Sequence, residues 1–354
     1  MHVGILTGGG DCPGLNAVIR AVTLALINEC GARVSGIERG FLGLLERRSR
    51  PLDADTVAGL VAEGGTILGT HNRCDPFRYF GANNADCSAQ AMAYVRELGL
   101  DALVVIGGDG TMAIAYRFMA LGLPMVGVPK TIDNDLFGTD RTFGFDSAVA
   151  VVSESLDRLG TTARSHGRVM VLETMGRYAG WIALEGGLAG SADVILLPEL
   201  PFSVDAVAAR CREREARGLA TLVCIAEGAA AAGGHLTVER TISDSPEPIR
   251  LGGVGRWLQA QLEPLVQSEV RTTLLGHLQR GGSPTAYDRV LATRFGVHAA
   301  HLVRDGRFGE MVALQGDACT SLSITEVAGR TRKVPVDHAL VQAARATGVS
   351  LGQP

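Results

Sequence analysis

Short, unbroken apolar runs rich in Val, Ile and Leu recur along the chain, at residues 3–7, 103–106, 125–128, 169–173, 194–198, 222–226 and 272–275. None alternates strictly between polar and apolar positions, the pattern expected of strands that a parallel sheet buries on both faces. Between them lie stretches with helical spacing, at 15–27, 89–98, 111–121 and 149–159. Strand and helix alternate, so the fold class is α/β, doubly wound, with mainly parallel sheets. A chain of 354 residues with 46% hydrophobic content suits two lobes, each with its own core.

Several runs end in glycine or an acid followed by a polar turn, as at Gly8-Gly9-Gly10-Asp11, Gly107-Gly108-Asp109-Gly110 and Glu227-Gly228. In open α/β sheets ligands bind outside the carboxyl ends of the strands, so these turns mark the expected working face. The stretch 229–248 is small, polar and turn-rich, and reads as an excursion of the second lobe.

Charge narrows the partners. The formal net charge is −4 and charged residues make up 20%, so there is no global basic field for a nucleic acid or an anionic membrane. Lysine occurs only at Lys130 and Lys333, and arginine supplies the other fixed cations. The seven cysteines form no CxxC pair or zinc-like spacing, as expected in a reducing cytoplasm. The opening MHVGILTGGG has the character of a first strand rather than an export signal, and no apolar run approaches the roughly 20 residues of a bilayer span. The expectation is a cytoplasmic protein.

The turn from Gly8 to Asn16 links a strand to a helix, where glycine lets backbone N–H groups approach phosphate oxygens and the helix start adds donors. It lacks the GxGxxG spacing of a dinucleotide site, and the chain has no Gly-Lys dipeptide for a P-loop. A ligand-free structural turn would use the same glycines. Gly107 to Thr111 forms a second such turn, and Asp109 within it suits Mg²⁺ shared with phosphates, or a helix cap, or both. In Pro129-Lys130-Thr131-Ile132-Asp133-Asn134-Asp135 two carboxylates stand two residues apart, on one face if the backbone is extended. One can act as base while its neighbour orients or binds metal, and Asp133 is the candidate base. Arg168, Met175-Gly176-Arg177, Arg271 and His277-Leu278-Gln279-Arg280 bring guanidinium groups next to strands or turns. Such groups bind phosphate and stabilise a transferring phosphoryl group. Together these segments point to phosphoryl transfer between two phosphate-bearing partners.

In order along the chain, TGGGDCPGLN, GGDGT, PKTIDND, TFGFDSA, LETMGR and GHLQRGGSPTAYDR resemble the motifs of the 6-phosphofructokinase family, from about residue 1 to about 316. The resemblance implies two Rossmann-like lobes with the active site in the cleft between them. It divides the chain into a phosphate-donor lobe of 1–144 plus about 279–330 and a sugar-phosphate lobe of about 145–278 plus 331–354. It also implies phosphorylation of fructose 6-phosphate in glycolysis, in a homodimer or homotetramer whose neighbouring copies complete the sugar-phosphate site. Asp133 is implied as the base for the 1-hydroxyl, Thr131 and Asp135 as its flanks, and Asp109 as the Mg²⁺ ligand. Gly9, Arg177 and Arg73 would support the transferring phosphate, with Gly110, Thr111 and Lys130 also on the donor side. Met175, Gly176, Glu227, His277 and Arg280 are implied as sugar-phosphate contacts of the same subunit, and Arg168 and Arg271 as contacts reaching in from the neighbour.

The resemblance bears on the donor in two directions. Pyrophosphate-using relatives usually have Asp where this chain has Gly110, which leaves room for ATP, whereas Lys130 is typical of pyrophosphate users. ATP is the expected donor and pyrophosphate the alternative, with sedoheptulose 7-phosphate as a further possible acceptor. Arg20 is kept at the family's effector site but Gly160 stands where an arginine is expected, implying weak effector control. The stretch 69–78 carries one residue more than common members, with Cys74 where an aromatic is frequent. A catalytically silent relative would not need Asp109, Thr131, Asp133 and Arg177 together. An NAD or diacylglycerol kinase relative would share GGDGT without PKTIDND or HLQRGG.

Overall fold

In a computed structural model the described residues are 1–241 and 249–353. In chain order the elements begin with β1 (His2–Thr7), α1 (Leu15–Cys30), β2 (Arg33–Ile37), α2 (Phe41–Glu46), β3 (Ser49–Leu52), α3 (Ser88–Leu98), β4 (Ala102–Gly107) and α4 (Asp109–Ala120). They continue with β5 (Met125–Pro129), α5 (Phe145–His166), β6 (Val169–Thr174), α6 (Trp181–Ala189), β7 (Val194–Leu196), α7 (Val204–Glu215) and β8 (Thr221–Ala226). The remainder are β9 (Val238–Thr241), β10 (Ile249–Leu251), α8 (Val254–Leu262), β11 (Val270–Leu274), α9 (Ala286–Arg304), β12 (Glu310–Gln315), β13 (Ala318–Ser323), α10 (Ile324–Val327) and α11 (Ala339–Ala346). Two compact units result: Met1–Ile132 with Leu136–Ser147 and Arg280–Thr331, and Asp133–Asp135 with Ala148–Gln279 and Arg332–Pro354.

The first unit is built on a seven-stranded sheet in the order β13-β12-β5-β4-β1-β2-β3. Its inner pairs are parallel, and β1 and β4 are buried along their whole length, as their unbroken apolar runs predict. α1 closes on Gly31 at φ 56°, whose N–H donates to the Ile27 carbonyl at 3.0 Å. α1 packs on α9 at Gly296, where a Cβ would stand 2.6 Å from that of Ala21. The outer strands β3 and β13 pair antiparallel with β2 and β12. Apolar runs do not mark them: β3 is SRPL, with Pro51 tolerated on an edge, and β13 is the polar ACTSLS.

The second unit carries the parallel sheet β11-β6-β8-β7 and the antiparallel pair β9 and β10. In the turn-rich stretch 229–248, β9 accounts for 238–241, and 242–248 lie outside the described residues. Strand β11 departs from the expectation of two covered faces. It is the sheet's edge, with Val270 buried but Arg271 and Leu274 exposed. β7 is also shorter than its apolar run and stops at Leu196, before Pro198, which has no N–H to give a ladder.

Among the described residues no helix is long and apolar enough to cross a membrane. Cys12, Cys74, Cys211 and Cys224 are buried free thiols whose ionisation burial pushes up to about 12. They serve as small apolar groups rather than nucleophiles.

Candidate active site

In the first unit the carboxyl ends of β1 and β4 lie side by side, since Thr7 pairs with Ile106. Gly8 N–H donates to the Ile106 carbonyl at 2.8 Å, and Lys130 N–H to the Gly107 carbonyl at 3.0 Å, which ties three strand ends together. Gly9 turns the chain at φ 77°. Thr111 fills the space beneath: it is buried, and a Cβ on Gly8 would stand 2.6 Å from its hydroxyl. Thr111 thus supports both glycine turns by packing.

Two cations join the first turn. Lys130 is only 4% exposed and its ammonium donates to the Gly10 carbonyl. Arg280 Nη1 donates to the Asp11 carbonyl at 3.0 Å and would meet a Cβ on Gly10 at 2.8 Å. Arg280, read in the sequence with the sugar-phosphate contacts, thus stands at the glycine turn of the first unit. At the second turn Asp109 opens α4 and its Oδ1 accepts from Gly329 N–H at 2.7 Å. Gly110 beside it is exposed, with no atom within 4 Å of where a Cβ would lie.

Arg73 holds its guanidinium 5.5 Å from the centre of the Phe80 ring, on which His71 also stacks at 5.3 Å. Burial, and then the charges of Arg39 and Arg73, lower the pKa of His71, which favours a neutral ring. Neither His71 nor Phe80 is singled out by the sequence, because no spacing rule relates a histidine to an aromatic across a pair of turns. Thr131 accepts from the Thr142 hydroxyl through its carbonyl at 2.7 Å.

In the second unit the ends of β6, β8 and β11 bring together Met175, Gly176, Arg177, Glu227 and the turn that carries His277. Glu227 N–H donates to the Thr174 carbonyl at 2.9 Å, and Gly228 N–H to that of Gly176 at 3.2 Å. Buried Gln279 accepts from Met175 N–H at 3.2 Å, anchoring the exposed His277. Gly176 sits at φ 133°, and a Cβ there would press to 2.9 Å from the Ala179 carbonyl. The Arg177 guanidinium lies 4.8 Å from the centre of the Tyr178 ring.

Asp133 and Asp135 do not share an extended strand. Asn134 between them adopts φ 52°, so the segment turns, and the same-face argument drawn from extended spacing does not hold. Asparagine is among the few L-residues that tolerate this region. Arg168 and Arg271, expected to reach in from a neighbouring copy, stand apart from the other arginines of the second unit. They lie at the amino ends of β6 and β11, and the six residues of β6 put roughly 15–20 Å between them and the Met175 end. They pair there with the two carboxylate oxygens of a single residue, Glu269.

A family model described as phosphofructokinase matches residues 2–303. The chain belongs to the phosphofructokinase family. It is 48% identical over 356 residues to the ATP-dependent 6-phosphofructokinase 2 of Clostridium perfringens, covering 98% of this chain and 97% of that one. It is 49% identical over 335 residues to a pyrophosphate–fructose 6-phosphate 1-phosphotransferase of Streptomyces coelicolor, covering 94% and 96%. Among solved structures, Pichia pastoris phosphofructokinase in the T-state matches with a TM-score of 0.80 and 34% identity over 92% of this chain. This chain spans 35% of that much longer one. Phosphofructokinases of almost the same similarity to this chain thus carry both donor names.

Proposed function

We propose that the protein transfers a phosphoryl group from ATP to the 1-hydroxyl of fructose 6-phosphate, giving fructose 1,6-bisphosphate in glycolysis. Membership of the family supports the reaction class, and the observation that carries the choice of donor is the open space at Gly110. A donor with phosphates beyond the reacting pair needs such room. In this reading Asp133 takes the proton of the 1-hydroxyl as that oxygen bonds the terminal phosphorus and the bond to the leaving phosphate breaks. Thr131 and Asp135 orient the acceptor. Gly9 N–H, Arg177 and Arg73 stabilise the charge on the transferring group.

Mg²⁺ fits the first unit's second turn. Among the described residues no three His, Cys, Asp or Glu side chains gather as a metal-binding group. A single carboxylate, Asp109, beside a glycine turn suits an ion that is ordinarily completed by phosphate oxygens and water. When bound, Mg²⁺ would neutralise phosphate charge. On the acceptor side Met175, Gly176, Glu227, His277 and Arg280 would hold the sugar phosphate. Arg168 and Arg271, at the far end of their sheet, would serve a neighbouring copy in a cytoplasmic homodimer or homotetramer.

Lys130 favours a second reading, pyrophosphate as donor, because a buried ammonium at the glycine turn suits a small, highly charged ligand. Assays with the two donors in parallel should give turnover with ATP and Mg²⁺, and strict dependence on pyrophosphate would overturn the choice. Asp133→Ser should lower kcat by about 10²–10⁴-fold with little change in KM. An unchanged kcat would falsify the base assignment.

A further inference from the structure

The family model ends at residue 303, yet the chain continues and returns to the acid loop. Two hydrogen bonds reach that loop from one residue, Arg332. Its backbone N–H donates to the Asp135 carbonyl at 2.6 Å, and its Nη1 to the Asn134 carbonyl at 3.1 Å. The second bond falls on the residue held at φ 52°, whose conformation sets the direction in which the chain leaves Asp133.

Arg332 is itself fixed on both sides. Its guanidinium lies 4.1 Å from the centre of the Trp181 ring, and the Trp181 indole N–H donates back to the Arg332 carbonyl at 3.0 Å. Trp181 is 1% exposed and packs edge-on against His338 at 5.0 Å. Two residues on, Val334 N–H donates to Glu199 at 2.8 Å, and the same carboxylate accepts from Gly180 N–H at 3.0 Å, next to Trp181. The guanidinium therefore has little freedom. It stacks on a buried ring and presents an N–H to a loop carbonyl one residue from the proposed base.

We propose that Arg332 is a positioning residue for phosphoryl transfer, holding the Asn134 turn so that Asp133 faces the acceptor hydroxyl. The role rests on the reading of Asp133 as base. It requires a cation that can lie over the Trp181 ring and a donor that reaches a carbonyl, both of which arginine supplies and lysine keeps in part. Small displacements of a reacting group can cost up to about 100-fold in rate, which sets the scale of the effect.

The test compares Arg332→Ala, Arg332→Met and Arg332→Lys in the full chain, with thermal unfolding measured beside kinetics. Arg332→Ala should lower kcat by about 10–100-fold while KM for fructose 6-phosphate and for the donor stays within about threefold. Arg332→Lys should recover most of the loss, since an ammonium can stay over the ring and donate one bond, and Arg332→Met should not. If the alanine variant does not fold, the lysine and methionine pair decides. A role in folding alone would lower the melting temperature and leave kcat per folded enzyme unchanged, and that result overturns the proposal.

A double-mutant cycle separates this proposal from the reading beneath it. In an Asp133→Ser background, Arg332→Ala should change the residual kcat by less than about twofold, because residues acting as one unit are not additive. A full further loss there overturns the positioning role. An unchanged kcat in Asp133→Ser alone sinks the base assignment and this role with it. A steep loss in Asp133→Ser beside a wild-type kcat in Arg332→Ala sinks the Arg332 proposal alone.

Discussion

At the ends of β1 and β4 the cationic and polar groups are packed into backbone: Thr111 under two glycine turns, Lys130 4% exposed at Gly10, Arg280 against Asp11. At the starts of β6 and β11 the arrangement is the reverse. Arg168 and Arg271 have side chains 28% and 53% exposed, and what holds them is the carboxylate of Glu269. The first region is shaped by burial and the second is balanced by charge. Substitutions in the first should therefore act through shape and desolvation, and those in the second through charge, with modest size and salt dependence.

The largest effect expected from this contrast is at Gly110, where the packed region opens. With nothing within 4 Å of its Cβ position, Gly110→Asp should leave the melting temperature within a few degrees of the parent. It should nevertheless cut kcat/KM for ATP by about 100-fold, because like charges brought together cost several kcal/mol, and spare or raise turnover with pyrophosphate. Equal losses with both donors would show that the opening does not set donor size.

Much of this contrast is legible in the sequence, and the reasons are local. Strands β1, β4, β5, β6 and β8 are buried throughout and carry unbroken apolar runs. The two glycine turns announce themselves because only glycine lets the backbone come so close to Thr111 and Arg280. The edge strands β3 and β13 are hidden by the serines, threonines and proline that edges tolerate. Arg332 escapes notice because its partners include backbone carbonyls and a tryptophan 151 residues away, and neither leaves a pattern in spacing. The same holds for Asn134, whose left-handed turn defeats the reading of Asp133 and Asp135 as one face.

A buried carboxyl group in the first unit extends the comparison. Asp288, in the first turn of α9, is 0% exposed and accepts from Ser147 N–H at 2.8 Å and its hydroxyl at 2.7 Å. Burial pushes its pKa up to about 6, with the charge of Asp146 adding and the Ser147 hydrogen bonds opposing. A raised carboxyl stabilises the fold fully below its ordinary value of 3.8 and loses that contribution as pH rises through about 6. Asp288→Asn keeps an acceptor for Ser147 without the desolvated charge. The variant should gain about 1–2 kcal/mol over the parent at pH 8 and nothing near pH 4, measured by denaturant unfolding at both. A gain that is the same at both pH values would assign the effect to packing.

The smallest effects belong to the exposed pair, and there the sign is the informative quantity. If Arg168 holds the phosphate of fructose 6-phosphate as proposed, Arg168→Ala should raise KM for that substrate by about tenfold with kcat nearly kept, since such a contact is uniform along the reaction. Glu269 meets both guanidinium groups, so a phosphate that binds them competes with that carboxylate. Glu269→Gln should then lower KM by about two- to fivefold, the equivalent of the 0.5–1 kcal/mol at which exposed ion pairs are typically worth measuring. The reduction should shrink in high salt, where the pair is already screened. A raised KM in Glu269→Gln would mean that the carboxylate orders the arginines for the phosphate instead of competing with it, and the second region would then be preorganised like the first.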